Sequence, residues 1–289
     1  MSKLQEVKEA IKYNFPDFKL RNIKSFVSGC DNDTYLLNRK YILRYPKHNK
    51  AINHIESCLL PKLENYITAK IPEVIHSGNY KNKSFMIYKP VDGIKLNKKI
   101  LKDISEKERD QLFNQIIIFL EELHSFSIIE AKKCGVKFVN FKLHFRKLLK
   151  KSKNILNKRL RKKEINRLET RFDEYLNNKD NFAYKPSLLH ADLSIGHIFA
   201  DKNYKLSGII DFGDTGIGDP DYDLIYLKDF RDSFNNYLKN RKDARNLEYK
   251  IKFFLLTCDI NGIIYGIKTK NKYKINKEIN DLRKRLENW

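Results

Sequence analysis

Residues 187–223, SLLHADLSIGHIFADKNYKLSGIIDFGDTGIGDPDYD, constrain the fold more than any other part of the chain. Two apolar, strand-like pieces at 195–199 and 206–210 flank a turn, and polar residues stand just beyond the strand ends. A rigid sheet presents chemically active side chains from such positions. His190-x-Asp192 is followed five residues later by His197, and Asp211-Phe212-Gly213 comes directly after the second piece.

This order and spacing match a phosphoryl-transfer site, in which H-x-D-x-x-x-x-N supplies the catalytic loop and D-F-G the metal loop, with His197 here in the Asn position. The chemistry requires a carboxylate within hydrogen-bond reach of the attacking hydroxyl, and further ligands that hold magnesium against the nucleotide phosphates. Asp192 suits the first role. Asp211 suits the second, because Mg2+ prefers hard oxygen ligands. His197 is a softer ligand, able to reach the metal through water, and His190 is read as a brace for the loop.

The rest of the chain supplies a setting for this stretch. Leu4, Val7, Ile11 and Phe15 recur at helical spacing. Strand-like stretches at 20–27, 34–37 and 41–45 are separated by turn-forming residues and read as an antiparallel meander. A helix is expected over 51–66, broken or kinked at Pro61, followed by strands at 73–76 and 85–88. Residues 1–91 are thus expected to form an amino-terminal lobe, a five-stranded antiparallel sheet with one helix. Residues 92–289 are expected to be mainly helical, which makes the fold class α+β. Ser105 and Glu108 predict a capping box, with Leu112, Ile116, Leu120 and Leu123 on one face of the helix that follows.

At 289 residues the chain is long enough for two domains or one bilobal unit. Its formal charge of +22 raises nucleic acid, an acidic membrane surface or an anionic ligand as partners. Residues 142–167 hold twelve Lys or Arg and one acid, Glu164, interleaved with apolar residues. An amphipathic helix with a solvated lysine face accounts for this pattern better than an RNA-binding helix does. The apolar runs at 116–120 and 253–256 are far shorter than the ~20 residues that span a bilayer. The first fifteen residues lack the pattern of a signal peptide, so the cytoplasm is expected. Cys30, Cys58, Cys134 and Cys258 show no C-x-x-C spacing and are expected to be small packing residues.

HADLSIGHIF followed by GIIDFGDTGIGDPDYD resembles the aminoglycoside phosphotransferases, most closely the 2''-phosphotransferase branch, where the His variant is part of the motif. The resemblance implies a bilobal protein-kinase-like fold that moves the γ-phosphoryl group of a nucleoside triphosphate to an aminoglycoside hydroxyl, with Mg2+ as cofactor. In that frame Ser28 and Gly29 open the nucleotide-phosphate loop. YILRYPK is similar to the strand that carries a phosphate-binding Lys, and Glu56 lies where its helix partner is expected. Arg44 stands at the Lys position, a departure, because a planar guanidinium is not a geometric substitute for an ammonium. SFMIYKPVDG resembles the hinge, with Tyr88 as gatekeeper and the Lys89 carbonyl and Val91 amide facing the purine edge. A bulky gatekeeper is associated in this family with GTP, so GTP is favoured as donor and ATP left open.

The resemblance also makes Asp192 the residue that meets the acceptor hydroxyl, and His197 and Asp211 the metal ligands. Asp214, Asp229 and Asp232 fall where carboxylates bind the ammonium groups of an aminoglycoside. This agrees with local charge, since residues 211–232 hold seven Asp against Lys228 and Arg231 in an otherwise basic chain, and opposed charges steer and orient a polycation. Asp219 and Asp223 are read as helix caps or loop braces. The expected partners are an aminoglycoside and a nucleoside triphosphate, with no membrane, no nucleic acid and a monomeric state. Two alternatives stay open. A macrolide phosphotransferase shares the D-x-x-x-G-H pattern of 192–197, and a non-catalytic RNA-associated pseudokinase would accommodate Arg44 and the basic segment.

Overall fold

The computed structural model describes residues 2–28, 32–47 and 52–289. Along the chain, α1 (Lys3–Asn14) precedes β1 (Ile23–Ser28), β2 (Asn32–Leu37) and β3 (Tyr41–Pro46); α2 (Ile52–Glu64) leads to β4 (Glu73–Tyr80), β5 (Lys83–Lys89) and β6 (Ile94–Lys95). Four helices follow, α3 (Lys98–Asp103), α4 (Glu106–Ser125), α5 (Ile128–Lys133) and α6 (Phe141–Asn157), then α7 (Lys162–Asn177). The short strands β7 (Ser187–Leu189), β8 (Ile198–Ala200), β9 (Leu206–Ile209) and β10 (Gly216–Gly218) come next, and the chain closes with α8 (Asp232–Lys239), α9 (Ala244–Lys268) and α10 (Lys272–Glu287).

The chain divides into two compact units, the first made of Met1–Lys137 with His190–Thr215, the second of Phe138–Leu189 with Gly216–Trp289. In the first, β1-β2-β3-β5-β4 form the expected five-stranded antiparallel sheet. Strand periodicity decides what each face carries. Leu43 and Tyr45 on β3 and Phe85 and Ile87 on β5 join Tyr35 and Leu37 in a core with Val7, Ala10 and Ile11 of α1. The intervening residues Ile42, Arg44, Met86 and Tyr88 therefore share the opposite face, in the register Ile42 with Tyr88 and Arg44 with Met86. Helix α1 is capped by Ser2, whose hydroxyl oxygen accepts from the Gln5 amide at 3.3 Å. Ser105 and Glu108 make the predicted capping box at the start of α4.

A second small sheet, β6-β8-β9, belongs to the same unit. Gly93 enters it at φ +132°, where a Cβ would lie 2.3 Å from Ser207 Oγ and 2.6 Å from the Ala200 carbonyl, so only glycine fits the approach. Ser207 Oγ donates to the Asp92 carbonyl at 2.8 Å, which ties the segment after β5 to the β8–β9 hairpin.

In the second unit β7 pairs antiparallel with β10 in the register Leu189 with Gly216 and Ser187 with Gly218. A 3₁₀ helix, Pro220–Phe230, runs from β10 to α8. The core is aromatic: Phe145, Phe172, Tyr175, Phe253 and Phe254 are fully buried, with Tyr175 and Phe253 stacked at 3.7 Å between ring centroids.

Three local expectations are corrected. Helix α2 runs through Pro61 without a break; Leu59, Leu60 and Leu63 are buried on either side of it, and this packing holds the helix across the missing hydrogen bond. The basic segment is two helices, interrupted at 158–161. Both remain amphipathic, α6 burying Phe141, Phe145, Leu148 and Leu156 and α7 burying Leu168, Phe172, Tyr175 and Leu176. Cys58 and Cys134, expected to be unpaired, form a disulfide with Cα atoms 5.4 Å apart. It joins α2 to the end of α5, where Lys62 Nζ also meets Glu130 at 2.7 Å. Cys258 is a free thiol, pushed up to about 11 by burial, and Cys30 lies outside the described residues.

Candidate functional site

The site starts where β7 ends. His190 follows directly and is fully buried, packed 4.7 Å from the ring of Phe212. Its Nδ1 accepts from the Asp192 amide at 3.3 Å, and Nε2 lies 3.1 Å from the Ile210 carbonyl. An imidazole that accepts at Nδ1 carries its proton on Nε2, so His190 donates to Ile210. The ring thus links the residue before Asp211 to the backbone of Asp192, as the sequence reading anticipated for a brace.

Backbone geometry completes the placement. Ala191 (φ 61°) and Asp211 (φ 71°) are non-glycine residues in the left-handed region, an arrangement that costs on the order of 1–3 kcal/mol each and persists where its surroundings hold it. His197 donates from Nδ1 to the Asp192 carbonyl at 2.7 Å, while the Ile210 amide donates to the His197 carbonyl at 3.0 Å. The imidazole therefore turns Nε2 toward Asp211, 3.4 Å from Oδ2.

Asp192, His197 and Asp211 can each offer one ligand atom, and these atoms lie within 4.8 Å of one another. Two carboxylates and one imidazole nitrogen suit a divalent cation, and the oxygens suit magnesium. Burial raises the Asp192 carboxyl to about 6, opposed by His197 and reinforced by the neighbouring charges of Asp214 and Asp211.

The sheet supplies a cation to the same cluster. Arg44 Nη1 donates to Glu56 Oε1 at 2.7 Å, and Nη2 lies 3.4 Å from Asp211 Oδ1. Glu56 is buried on α2; burial raises its carboxyl to about 7 against the pull of Arg44. Among the described residues its Oε2 has no hydrogen-bond partner. The Tyr88 hydroxyl is raised above its ordinary value by burial and feels Arg44, Glu56 and Asp211, so it belongs to the same surroundings.

Other expected residues fall less centrally. Lys89 pairs through Nζ with Glu73 at 2.6 Å. Val91 is buried, and a Cβ on Gly208 would meet its Cγ1. Asp214 is exposed beside the cluster. Ser28 closes β1, and Gly29 lies outside the described residues. Asp229, half-buried, and Asp232, exposed, belong to the second unit. Sequence reasoning placed Arg44 against Glu56 and did not foresee its contact with Asp211. It also passed over Lys250, which is buried against Asp219 and Asp221; with Glu248 and Lys252 two residues to either side, the sequence does not single it out.

A model of the phosphotransferase enzyme family matches residues 22–250. The uncharacterized protein YcbJ of Bacillus subtilis (strain 168) is 24% identical over 218 residues, 72% of this chain and 67% of its own length. The solved GDP and kanamycin complex of APH(2")-IIia superposes with a TM-score of 0.86 at 27% identity, covering 98% of both chains. The streptomycin-ATP-APH(2")-IIa ternary complex does so with a TM-score of 0.75 at 28% identity, covering 98% of this chain and 97% of that one. The family match spans the braced Asp192, His197 and Asp211 together with Arg44 and Glu56, and the chain belongs to the phosphotransferase enzyme family as a nucleotide-dependent small-molecule kinase.

Proposed function

We propose that the chain transfers the γ-phosphoryl group of GTP, or of ATP, to an aminoglycoside hydroxyl, the 2'' hydroxyl by resemblance, and so confers resistance. The convergence of Asp192, His197, Asp211 and Arg44 in one cluster carries this reading. Solved relatives hold kanamycin with GDP and streptomycin with ATP. Residues 1–91 act as the nucleotide lobe and 92–289 supply catalysis and acceptor binding, in a cytoplasmic monomer. Among the described residues no helix is long and apolar enough to cross a membrane.

In this reading Asp192 accepts a hydrogen bond from the attacking hydroxyl and orients it. His197 and Asp211 would hold Mg2+, which supplies charge neutralisation at the β- and γ-phosphates. Arg44, fixed by Glu56, contacts phosphate oxygens from the sheet, and by resemblance Ser28 and Gly29 belong to the phosphate-binding loop. Tyr88, the Lys89 carbonyl and the Val91 amide receive the purine, and Tyr88 favours GTP. Asp214, Asp229 and Asp232 bind acceptor ammonium groups. Their concentration in a chain of +22 supports a polycation over an apolar macrolide.

The test is coupled nucleotide turnover with GTP and ATP against kanamycin, gentamicin and a macrolide, with mass detection of the product. Phosphorylated kanamycin or gentamicin is expected. Turnover with the macrolide alone, or with no acceptor at all, would replace this function.

A further inference from the structure

We propose that Lys250 is a positioning residue for the cationic acceptor: its buried ammonium holds the turn after β10 in the arrangement that sets Asp229 and Asp232. The inference rests on the reading that those two acids face the acceptor. Lys250 lies on α9 and is 4% exposed. Its Nζ is 2.8 Å from Asp219 Oδ2, contacts Asp221 Oδ2 and lies 5.6 Å from the centroid of the Tyr184 ring. Lysine is rarely buried this far unless it is paired, and here two carboxylates converge on one ammonium. Asp219 itself accepts from the Asp221 amide at 3.1 Å and caps the 3₁₀ helix.

Apolar side chains of similar volume stabilise a buried turn as well as an ion cluster does or better, so stability alone does not explain three charges here. What the cluster supplies is one geometry, because each carboxylate oxygen must meet the same Nζ. Directly upstream, a Cβ at Gly218 would lie 2.5 Å from the ring of Phe141, so the strand end is already pressed against α6. Directly downstream, the 3₁₀ helix Pro220–Phe230 continues for eleven residues without interruption. Asp219 and Asp221 stand at its beginning, Asp229 near its end and Asp232 at the start of α8. An ammonium fixed at one end of this segment therefore sets the path by which the other end delivers its carboxylates.

Two variants keep the test independent of folding. Lys250→Arg retains the charge and replaces a point donor by a planar fork; Lys250→Met with Asp219→Asn removes one charge of each sign. Both are checked for cooperative thermal unfolding, then assayed for kanamycin KM and for nucleotide hydrolysis without acceptor. The expected result is a kanamycin KM raised roughly tenfold or more, with acceptor-free hydrolysis within about twofold of the unsubstituted protein, since small misplacements of binding groups cost rates of this order. Unchanged kanamycin KM in a folded variant overturns the proposal, as does a parallel fall in hydrolysis, which makes Lys250 a fold residue only. If the double variant fails to fold, Lys250→Arg carries the test. If the unsubstituted protein hydrolyses nucleotide but does not modify kanamycin, the acceptor assignment fails by itself. Amide exchange in Lys250→Arg then decides: faster exchange across 219–232 with 192–211 unchanged supports positioning, and an unchanged pattern overturns it.

Discussion

The guanidinium of Arg44 lies 3.4 Å from Asp211 while its other terminal nitrogen holds Glu56 at 2.7 Å. One side chain on the sheet thus links the helix α2 to the loop that begins at Asp211. Glu56 is buried, its second oxygen has no partner among the described residues, and Arg44 is the cation bonded to it. Removing one member of a buried pair costs about 3–5 kcal/mol. Arg44→Met should therefore lower stability by about that amount, and Arg44→Met with Glu56→Gln should recover most of it. Denaturant unfolding of both variants above and below pH 7 checks this; a loss below about 1 kcal/mol in the single variant at the higher pH, where protonation of Glu56 no longer relieves the charge, would show that Glu56 is satisfied elsewhere.

Asp192 and Asp211 should separate on substitution. In the proposed mechanism Asp192→Asn removes the carboxylate that meets the acceptor hydroxyl and no purine contact, so kcat should fall roughly 10²–10⁴-fold with nucleotide affinity nearly unchanged. Asp211→Asn should weaken magnesium-dependent nucleotide binding and turnover together. Calorimetric nucleotide titrations beside steady-state rates resolve the two patterns. Near-normal turnover in Asp192→Asn would reassign the catalytic carboxylate.

The pH dependence follows from the same residue. Burial raises Asp192 to about 6, against roughly 3.9 for an unperturbed aspartate. A raised carboxyl binds its proton at higher pH, and in the proposed mechanism it is the ionised form that orients the acceptor hydroxyl. The kcat/KM for acceptor should therefore be full above this region and fall as pH drops through about 6. An acid limb near 4 would mean that Asp192 is solvated in the working enzyme.

Much of this arrangement was legible in the sequence where the determining contacts are local. The partners of the Ser105–Glu108 capping box are three positions apart, and strand alternation alone puts Arg44 and Tyr88 on the face away from Leu43 and Ile87. The spacing of Asp192, His197 and Asp211 was readable because a hairpin joins them. Pairings that depend on tertiary packing left no local trace: Cys58 meets Cys134 across 76 residues, and Lys250 meets Asp219 from a different helix. The break at 158–161 was hidden because both flanking helices carry the same amphipathic pattern.

His190 offers a test of bracing as distinct from chemistry. His190→Phe keeps a ring against Phe212 but leaves the Asp192 amide and the Ile210 carbonyl without their imidazole partner. Buried polar groups stripped of a partner cost about 1–3 kcal/mol each. Stability should fall by that order and kcat should drop, with the acid limb of the pH profile still set by Asp192. A variant as stable and as active as the unsubstituted protein would show that the left-handed backbone at Ala191 and Asp211 is held by other contacts.

Tyr88 tests nucleotide choice. It shares the sheet face of Arg44 and stands opposite Ile42, and in the proposed site its ring shortens the space behind the purine. ATP would then be kept from its usual pose against the Lys89 carbonyl and Val91 amide, while GTP, shifted outward, presents its different edge to the same groups. Tyr88→Ala should open that space and raise ATP use relative to GTP. Discrimination by a pocket of this kind amounts to about 1–3 kcal/mol, or roughly ten- to two-hundredfold in specificity. The ratio of kcat/KM for the two nucleotides, measured in both proteins, reads it directly. An unsubstituted enzyme that prefers ATP, or a ratio that does not move in Tyr88→Ala, would leave Tyr88 as a packing residue between β5 and its neighbours.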